Sequence, residues 1–194
     1  MTPQRGQNAL PESPAAPVLP DVALGYEMPI PPVPLPRLHA GEPVLTPEQA
    51  ADVLSIQHLQ NAYAQLHEHG TADEIAALFH PEAKLYCLSL ASLGFEGRTQ
   101  IREWYAWWLK LYRRNGHYHR HRPLNQVVDL DGDRAFSHSL LVAVGAPKDS
   151  EEWDYYVGRY VHEVVREGGA WLFWRTWIIL HVSCKWQGRT KCGL

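Results

Sequence analysis

The sequence predicts an α+β fold, a curved sheet folded over helices. Three observations predict it. Apolar residues recur at helical spacing in three segments between residues 46 and 112. Four long alternating segments follow with no helix between them, and short glycine-bearing turns join those segments in pairs.

The first helix opens at Thr46-Pro47-Glu48-Gln49, which combines an N-cap, a proline at the first helical position and a capping-box glutamine. Val53, Ile56, Leu59, Tyr63 and Leu66 then repeat at helical spacing to about His69. Thr71 to Glu74 is a second capping box, opening a short helix that ends near Phe79. Ala83 to Ala91 reads as a strand. Thr99 caps a third helix carrying Ile101, Trp104, Tyr105, Trp108 and Tyr112, and Asn115-Gly116 stops it. His117 to Leu130 and Arg134 to Val144 flank the Asp131-Gly132-Asp133 turn. Trp153 to Arg166 and Trp171 to Cys184 form another hairpin across Gly168-Gly169.

Residues 1–45 form a proline-rich extension, 46–186 the folded domain and 187–194 a short tail. Twelve of the fifteen prolines fall before residue 48, which excludes a helix or a central strand there. Residues 1–20 read as a disordered tail, and Met28 to Pro36 as polyproline II. Tyr26, Met28, Ile30, Val33 and Leu35 are more apolar than a linker requires, so this part is expected to pack along the domain or a neighbouring subunit. A ligand for an SH3-type domain is the weaker alternative.

Basic and acidic residues are interspersed at a formal charge of −3, which excludes the basic stripe that nucleic acid requires. No run approaches the length of a membrane helix. Three cysteines, Cys87, Cys184 and Cys192, make no paired motif and suit a reducing, cytoplasmic compartment. The first twenty residues lack the apolar run of a signal peptide.

Four pieces of sequence carry a resemblance to a known family. Ile56-Gln57-His58-Leu59 with Tyr63-Ala64 and Glu68 is like its opening helix, and Ala76-Ala77-Leu78-Phe79-His80-Pro81-Glu82-Ala83 is like its turn into the first strand. His121 four residues before Asn125, then Val127-Val128-Asp129, form the third piece, and Gly158-Arg159-Tyr160 with Gly168-Gly169 and Trp171 the fourth. In this order they resemble the SnoaL-like branch of the NTF2-like superfamily, over roughly residues 50–184. The resemblance implies a cone with one central pocket, its strongly curved, mixed or antiparallel sheet wrapped over three N-terminal helices. It also implies assembly through the open sheet face as a homodimer or homotrimer. That family holds scytalone dehydratase, a bile-acid dehydratase, a dehydrochlorinase, polyketide cyclases and carbon–carbon lyases, together with members that only bind or scaffold. The fold therefore does not give the reaction.

By that resemblance His121 is the general acid/base, since imidazole can take and return a proton near neutrality. Its plain alternative is a buried, hydrogen-bonded histidine with no role. Glu68 stands where the family places an acidic partner, usually aspartate, and is one methylene longer. On an ideal helix residue 68 lies well away from the face of Tyr63, whereas His67 lies close to it. Only an irregular helix end would turn Glu68 inward; otherwise it is a solvated last-turn carboxylate.

Strand alternation puts His117, His119 and His121 on one face. A metal reading follows from three such histidines, but alternate residues stand about 6.5–7 Å apart and no carboxylate joins them. His119 is instead expected to line the pocket, and no metal or cofactor is expected. Tyr156, Gly158, Tyr160 and His162 share one face of the next-to-last strand, which the resemblance implies points inward. Arg159 lies opposite, in structural or intersubunit ion pairs, or becomes an anion binder if the strand's parity is inverted. Tyr63, Tyr156 or Tyr160 would polarise a substrate oxygen. Asn125, His162, His119, Trp108 and Arg159 complete the expected binding set.

Eight Trp and nine Tyr exceed what a core this size needs, so some should line the cavity and favour an aromatic guest. Cys87 reads as a small core residue. The expected activity is a cofactor-independent lyase acting on a hydroxylated aromatic or polyketide-like compound, by dehydration or by retro-aldol loss of a hydroxymethyl group. An isomerase or cyclase, or a non-catalytic aromatic-binding module, is the alternative.

Overall fold

A computed structural model describes residues 32–34, 45–88, 93–113, 118–147 and 151–187. The elements run α1 (Pro47–His69), α2 (Ala72–Ala77), β1 (Phe79–Cys87), β2 (Leu93–Glu96), α3 (Gly97–Tyr112), β3 (Tyr118–Asp131), β4 (Arg134–Ala146), β5 (Glu152–Glu167) and β6 (Ala170–Gln187). Six strands form one sheet in the order β2-β1-β6-β5-β4-β3. All neighbours are antiparallel except β1 and β6, which run parallel, so the sheet is mixed. Helices on one face of a curved sheet make this an α+β, NTF2-like fold.

Both capping boxes form. Thr46 and Gln49 exchange hydrogen bonds at 2.9 and 3.2 Å, as do Thr71 and Glu74 at 2.7 and 3.2 Å, satisfying amides that a helix start leaves unpaired. At the other end of α1, Arg113 donates to the carbonyls of Gly70, Leu66 and His67 at 2.5, 3.1 and 3.1 Å. A cation there also suits the helix dipole. This clamp fixes the last turn of α1 against the end of α3.

Three boundaries differ from the sequence reading. β1 begins at Phe79 rather than Ala83, and α2 ends at Ala77. A further strand, β2, lies between β1 and α3; at four residues, one of them Gly94, it is too short for alternation to register. Helix α3 begins at Gly97, whose positive φ of 77° turns the chain sharply out of β2, so Thr99 lies inside the first turn and the N-cap is Glu96.

The sheet bends where its register shifts. Between Leu124 and Val127, β3 carries two residues opposite a single one on β4, and Asn125 adopts a positive φ of 53°. At Gly158 a Cβ would stand 2.0 Å from the Ile179 carbonyl oxygen, so only glycine permits the close approach of β5 and β6 there. The concave face holds the main core. Tyr63 of α1 sits at its centre, with the rings of Phe79, Tyr160, Phe173 and His67 within 6 Å. Burying rings such as Phe79 and Phe173 contributes about 1.5–3 kcal/mol each.

On the convex face a smaller cluster, Tyr86, Val161 and Trp177, is covered in part by Val33. The described part of the proline-rich extension thus packs on the domain; Tyr26, Met28, Ile30 and Leu35 lie outside the described residues. Among the described residues no helix is long and apolar enough to cross a membrane.

Candidate functional site

The concave face does not fill completely. Between α3 and strands β3 to β6 lies a pocket of about 100 Å³. Trp104, Tyr105, Trp108 and Tyr112 of α3 form one wall, because residues spaced three and four apart share a helix face. His119 and His121 of β3 and Leu141 and Ala143 of β4 form the second. Tyr156 and Tyr160 of β5, Ile178 and Leu180 of β6 and Cys87 of β1 complete the sheet side, and His67 enters from the last turn of α1. Among the described lining residues none is Asp, Glu, Lys or Arg.

Three imidazoles stand in a row. The ring of His121 lies 4.6 Å from that of His67 and 4.4 Å from that of His119, centroid to centroid. His67 Nδ1–H donates to the Tyr63 carbonyl oxygen at 2.8 Å. A carbonyl can only accept, so neutral His67 keeps its proton on Nδ1 and a bare lone pair on Nε2. Burial pushes its pKa down to about 4, helped by the nearby Arg113 charge and opposed by that hydrogen bond. His121 is held well below its ordinary range, first by burial and then by the two histidines beside it. His67 and His121 are therefore neutral at pH 7 and able to accept a proton rather than give one.

The phenols are the complementary acids. Tyr160 is 1% exposed, its ring lies 6.4 Å from that of His121, and burial holds its pKa well above 10. Tyr156 is pushed up to about 12, mainly by burial. The Tyr160 hydroxyl and His121 Nδ1 are both buried and have no hydrogen-bond partner among the described residues. Two such atoms in one hollow are costly unless a guest's polar group meets them. Burial lifts the Cys87 thiol to about 12, which makes it an inert wall rather than a nucleophile.

The structure thus brings together five residues singled out from the sequence: His121, His119, Trp108, Tyr156 and Tyr160. It places five others elsewhere. Glu68 turns away from the pocket, its carboxylate against Arg120 and 3.6 Å from His69, because α1 stays regular to its end and residue 68 faces the other side. Tyr63 lies beneath the pocket, its hydroxyl 2.5 Å from that of Tyr105, which does line it. His162 is deeper still, bonded to Thr176 at 3.0 Å and pushed by burial down to about 3. Asn125 is exposed, because the extra residue in β3 reverses the strand's alternation just beyond His121. Arg159 is on the convex face in a row with Leu140 and Ile179, so the strand's parity is not inverted.

His67, Trp104, Tyr105 and Tyr112 line the pocket but are missing from the expected set; for His67 its position on the Tyr63 face was the available signal. Among the described residues no three His, Cys, Asp or Glu side chains are placed to hold a metal. His117 lies outside the described residues.

The family model of the SnoaL-like domain matches residues 48–176, well over half of the chain. The chain belongs to the SnoaL-like family. This SnoaL-like protein has no sequence match among curated proteins. Solved structures share its fold at low identity. A provisionally assigned scytalone dehydratase from Novosphingobium aromaticivorans is 19% identical, with a TM-score of 0.60 over 72% of this chain and 91% of that one. A type 2 hexachlorocyclohexane dehydrochlorinase is 13% identical, at 0.65 over 76% and 98%. An NTF2-like protein of unknown function from Pseudomonas putida is 18% identical, at 0.55 over 66% and 85%. At these identities the likeness speaks for the fold alone.

Proposed function

We propose that this SnoaL-like protein is a cofactor-independent lyase acting on a small, hydroxylated aromatic or polyketide-like compound. The single observation that carries the reading is the pairing of His121 Nδ1 and the Tyr160 hydroxyl. Both are buried, both lack a partner among the described residues, and both belong to one aromatic-walled hollow. His121 removes a proton from the carbon next to a substrate carbonyl and returns one to the departing hydroxyl, so that water leaves. Tyr160, with Tyr156 nearer the mouth, donates to the oxygen on which negative charge develops. His119 and Trp108, whose rings lie 4.9 Å apart, hold the aromatic body of the guest. Retro-aldol release of a hydroxymethyl group as formaldehyde uses the same base and the same phenol.

A second reading, a non-catalytic aromatic-binding module, is favoured by one observation: among the described lining residues no carboxylate supports an imidazolium at His121. The variant His121→Ala separates the two. A lyase loses at least about a hundredfold in turnover of aryl β-hydroxy ketones while still binding them. Unchanged turnover in the variant sinks the lyase reading, and tight binding with no turnover by the native protein supports the module.

Self-association through the convex sheet face is part of the proposal. Leu124, Leu140, Tyr155 and Val182 are all more than a third exposed there, which favours a homodimer or homotrimer.

A further inference from the structure

Two carboxylates come near enough to matter to the charge state of the pocket, and neither reaches the imidazoles. Glu68 is held by Arg120 on the far side of α1. Asp154 of β5 raises the Tyr112 and Tyr156 pKa values from the mouth, but it is not part of the lining. Arg113, whose charge reaches His67, is engaged with three carbonyls at the helix ends. Facing His121 are His67 from α1, Tyr105 and Tyr112 from α3, His119 from its own strand, Tyr156 and Tyr160 from β5 and Cys87 from β1. Burial favours the uncharged form of His67, of Tyr105, Tyr112, Tyr156 and Tyr160, and of Cys87.

The proton of neutral His67 is fixed in place. Its Nδ1–H is committed to the Tyr63 carbonyl, and its ring is wedged between Tyr63, Tyr105 and Trp108 at centroid distances of 4.4, 5.1 and 5.2 Å. The remaining nitrogen, Nε2, is an acceptor that packing cannot rotate away, beside the ring of His121.

We propose that His67 is the proton-sharing partner of His121, so that the base in this pocket is an imidazole–imidazole pair without a carboxylate. A proton taken by His121 is shared with His67 Nε2 directly or through a guest hydroxyl lying between the rings. His67 is thus a positioning residue acting through His121. The inference rests on His121 being the working base. Its consequence for the ligand is sharp: with no Asp, Glu, Lys or Arg among its described lining residues, the pocket takes uncharged aromatic alcohols and ketones and rejects arylcarboxylates and arylamines. An ion brought into such a hollow would lose its water and find no counter-charge.

The test uses the full chain at pH 7 and three probes of one shape: 4-hydroxyacetophenone, 4-hydroxybenzoate and tyramine. Trp104 and Trp108 line the pocket, so quenching of tryptophan fluorescence reads binding. The neutral ketone should bind at least about a hundredfold more tightly than either ion, given the cost of an unpaired buried charge. Nitrogen NMR of 15N-histidine-labelled protein then follows His121 in the native chain and in His67→Asp. The native rings should both be neutral, with His67 protonated on Nδ1. The new carboxylate should bring the titration of His121 up into the range above pH 6, a response that loss of packing alone would not give.

Glu68→Gln, one residue along α1 and outside the pocket, serves as the folded control and should bind the ketone within about threefold of the native protein. Preferential binding of 4-hydroxybenzoate, or a His121 titration that is the same in His67→Asp, overturns the inference. If both variants fail to fold, the native probe series still decides it. Selective ketone binding with no turnover of any aryl alcohol would instead sink the lyase reading and leave the neutral pair standing.

Discussion

His67 and Glu68 are neighbours in sequence and stand on opposite sides of the last turn of α1. The imidazole of His67 points into the aromatic pocket, 4.6 Å from the ring of His121, whereas the carboxylate of Glu68 is closed against Arg120 outside it. One step along a helix turns a side chain by about 100°. That step decides whether the pocket holds a charge.

Glu68→Gln should leave the pocket intact. Its carboxylate is 5% exposed and Arg120 is 29% exposed, so losing the ion pair should cost about 1–2 kcal/mol and lower Tm by several degrees. Turnover should stay within about twofold of native. A hundredfold loss of kcat would return the carboxylate to the chemistry.

Asn125 should matter to the backbone and not to the ligand. Its φ of 53° lies in the left-handed region, where a β-branched residue costs about 1–2 kcal/mol and glycine fits freely. Asn125→Gly should therefore keep native stability and ligand affinity, and Asn125→Val should lower stability alone. Chemical denaturation together with the fluorescence titration checks both.

Helix α1, the paired long strands and the inward set Tyr156, Gly158 and Tyr160 were legible in the sequence, because caps, glycine turns and alternation are local signals. Asn125 was misjudged because alternation counts residues evenly, and one extra residue in β3 reversed it. The strand β2 was missed because four residues carry too short a pattern. The parallel pairing of β1 with β6 joins segments about ninety residues apart, with no local mark of it. Glu68 was favoured by resemblance, although helix geometry alone pointed to His67.

Gly158 is where β5 and β6 come closest. Gly158→Ala would push a methyl group into the Ile179 carbonyl oxygen, 2.0 Å away, and nothing there is a flexible side-chain end. The strands must part, at a cost of about 1–3 kcal/mol or more, and Tyr156 and Tyr160 on either side must shift. Thermal unfolding should record the loss, with weaker ligand binding beside it.

Stability should fall steeply in mild acid. His67 and His162 are held at about 4 and about 3 in the folded chain, against 6.5 when unfolded. Between those values the unfolded chain binds more protons, so stability is full above pH 6.5 and is lost as pH falls towards 4. His67 alone accounts for a loss on the order of 3 kcal/mol over that window, comparable to a large share of a domain's stability. A Tm that is flat from pH 7 to pH 4 would contradict the buried neutral state of both rings.

The most direct measurement is a crystal structure of the protein with a bound aryl hydroxy ketone. The expected result is a ligand oxygen within about 3.2 Å of both His121 Nδ1 and the Tyr160 hydroxyl, with the ring stacked among Trp108, Tyr112 and His119. A ligand seated elsewhere, or one whose polar atoms leave those two groups unmet, would contradict the assignment of this hollow as the site of chemistry.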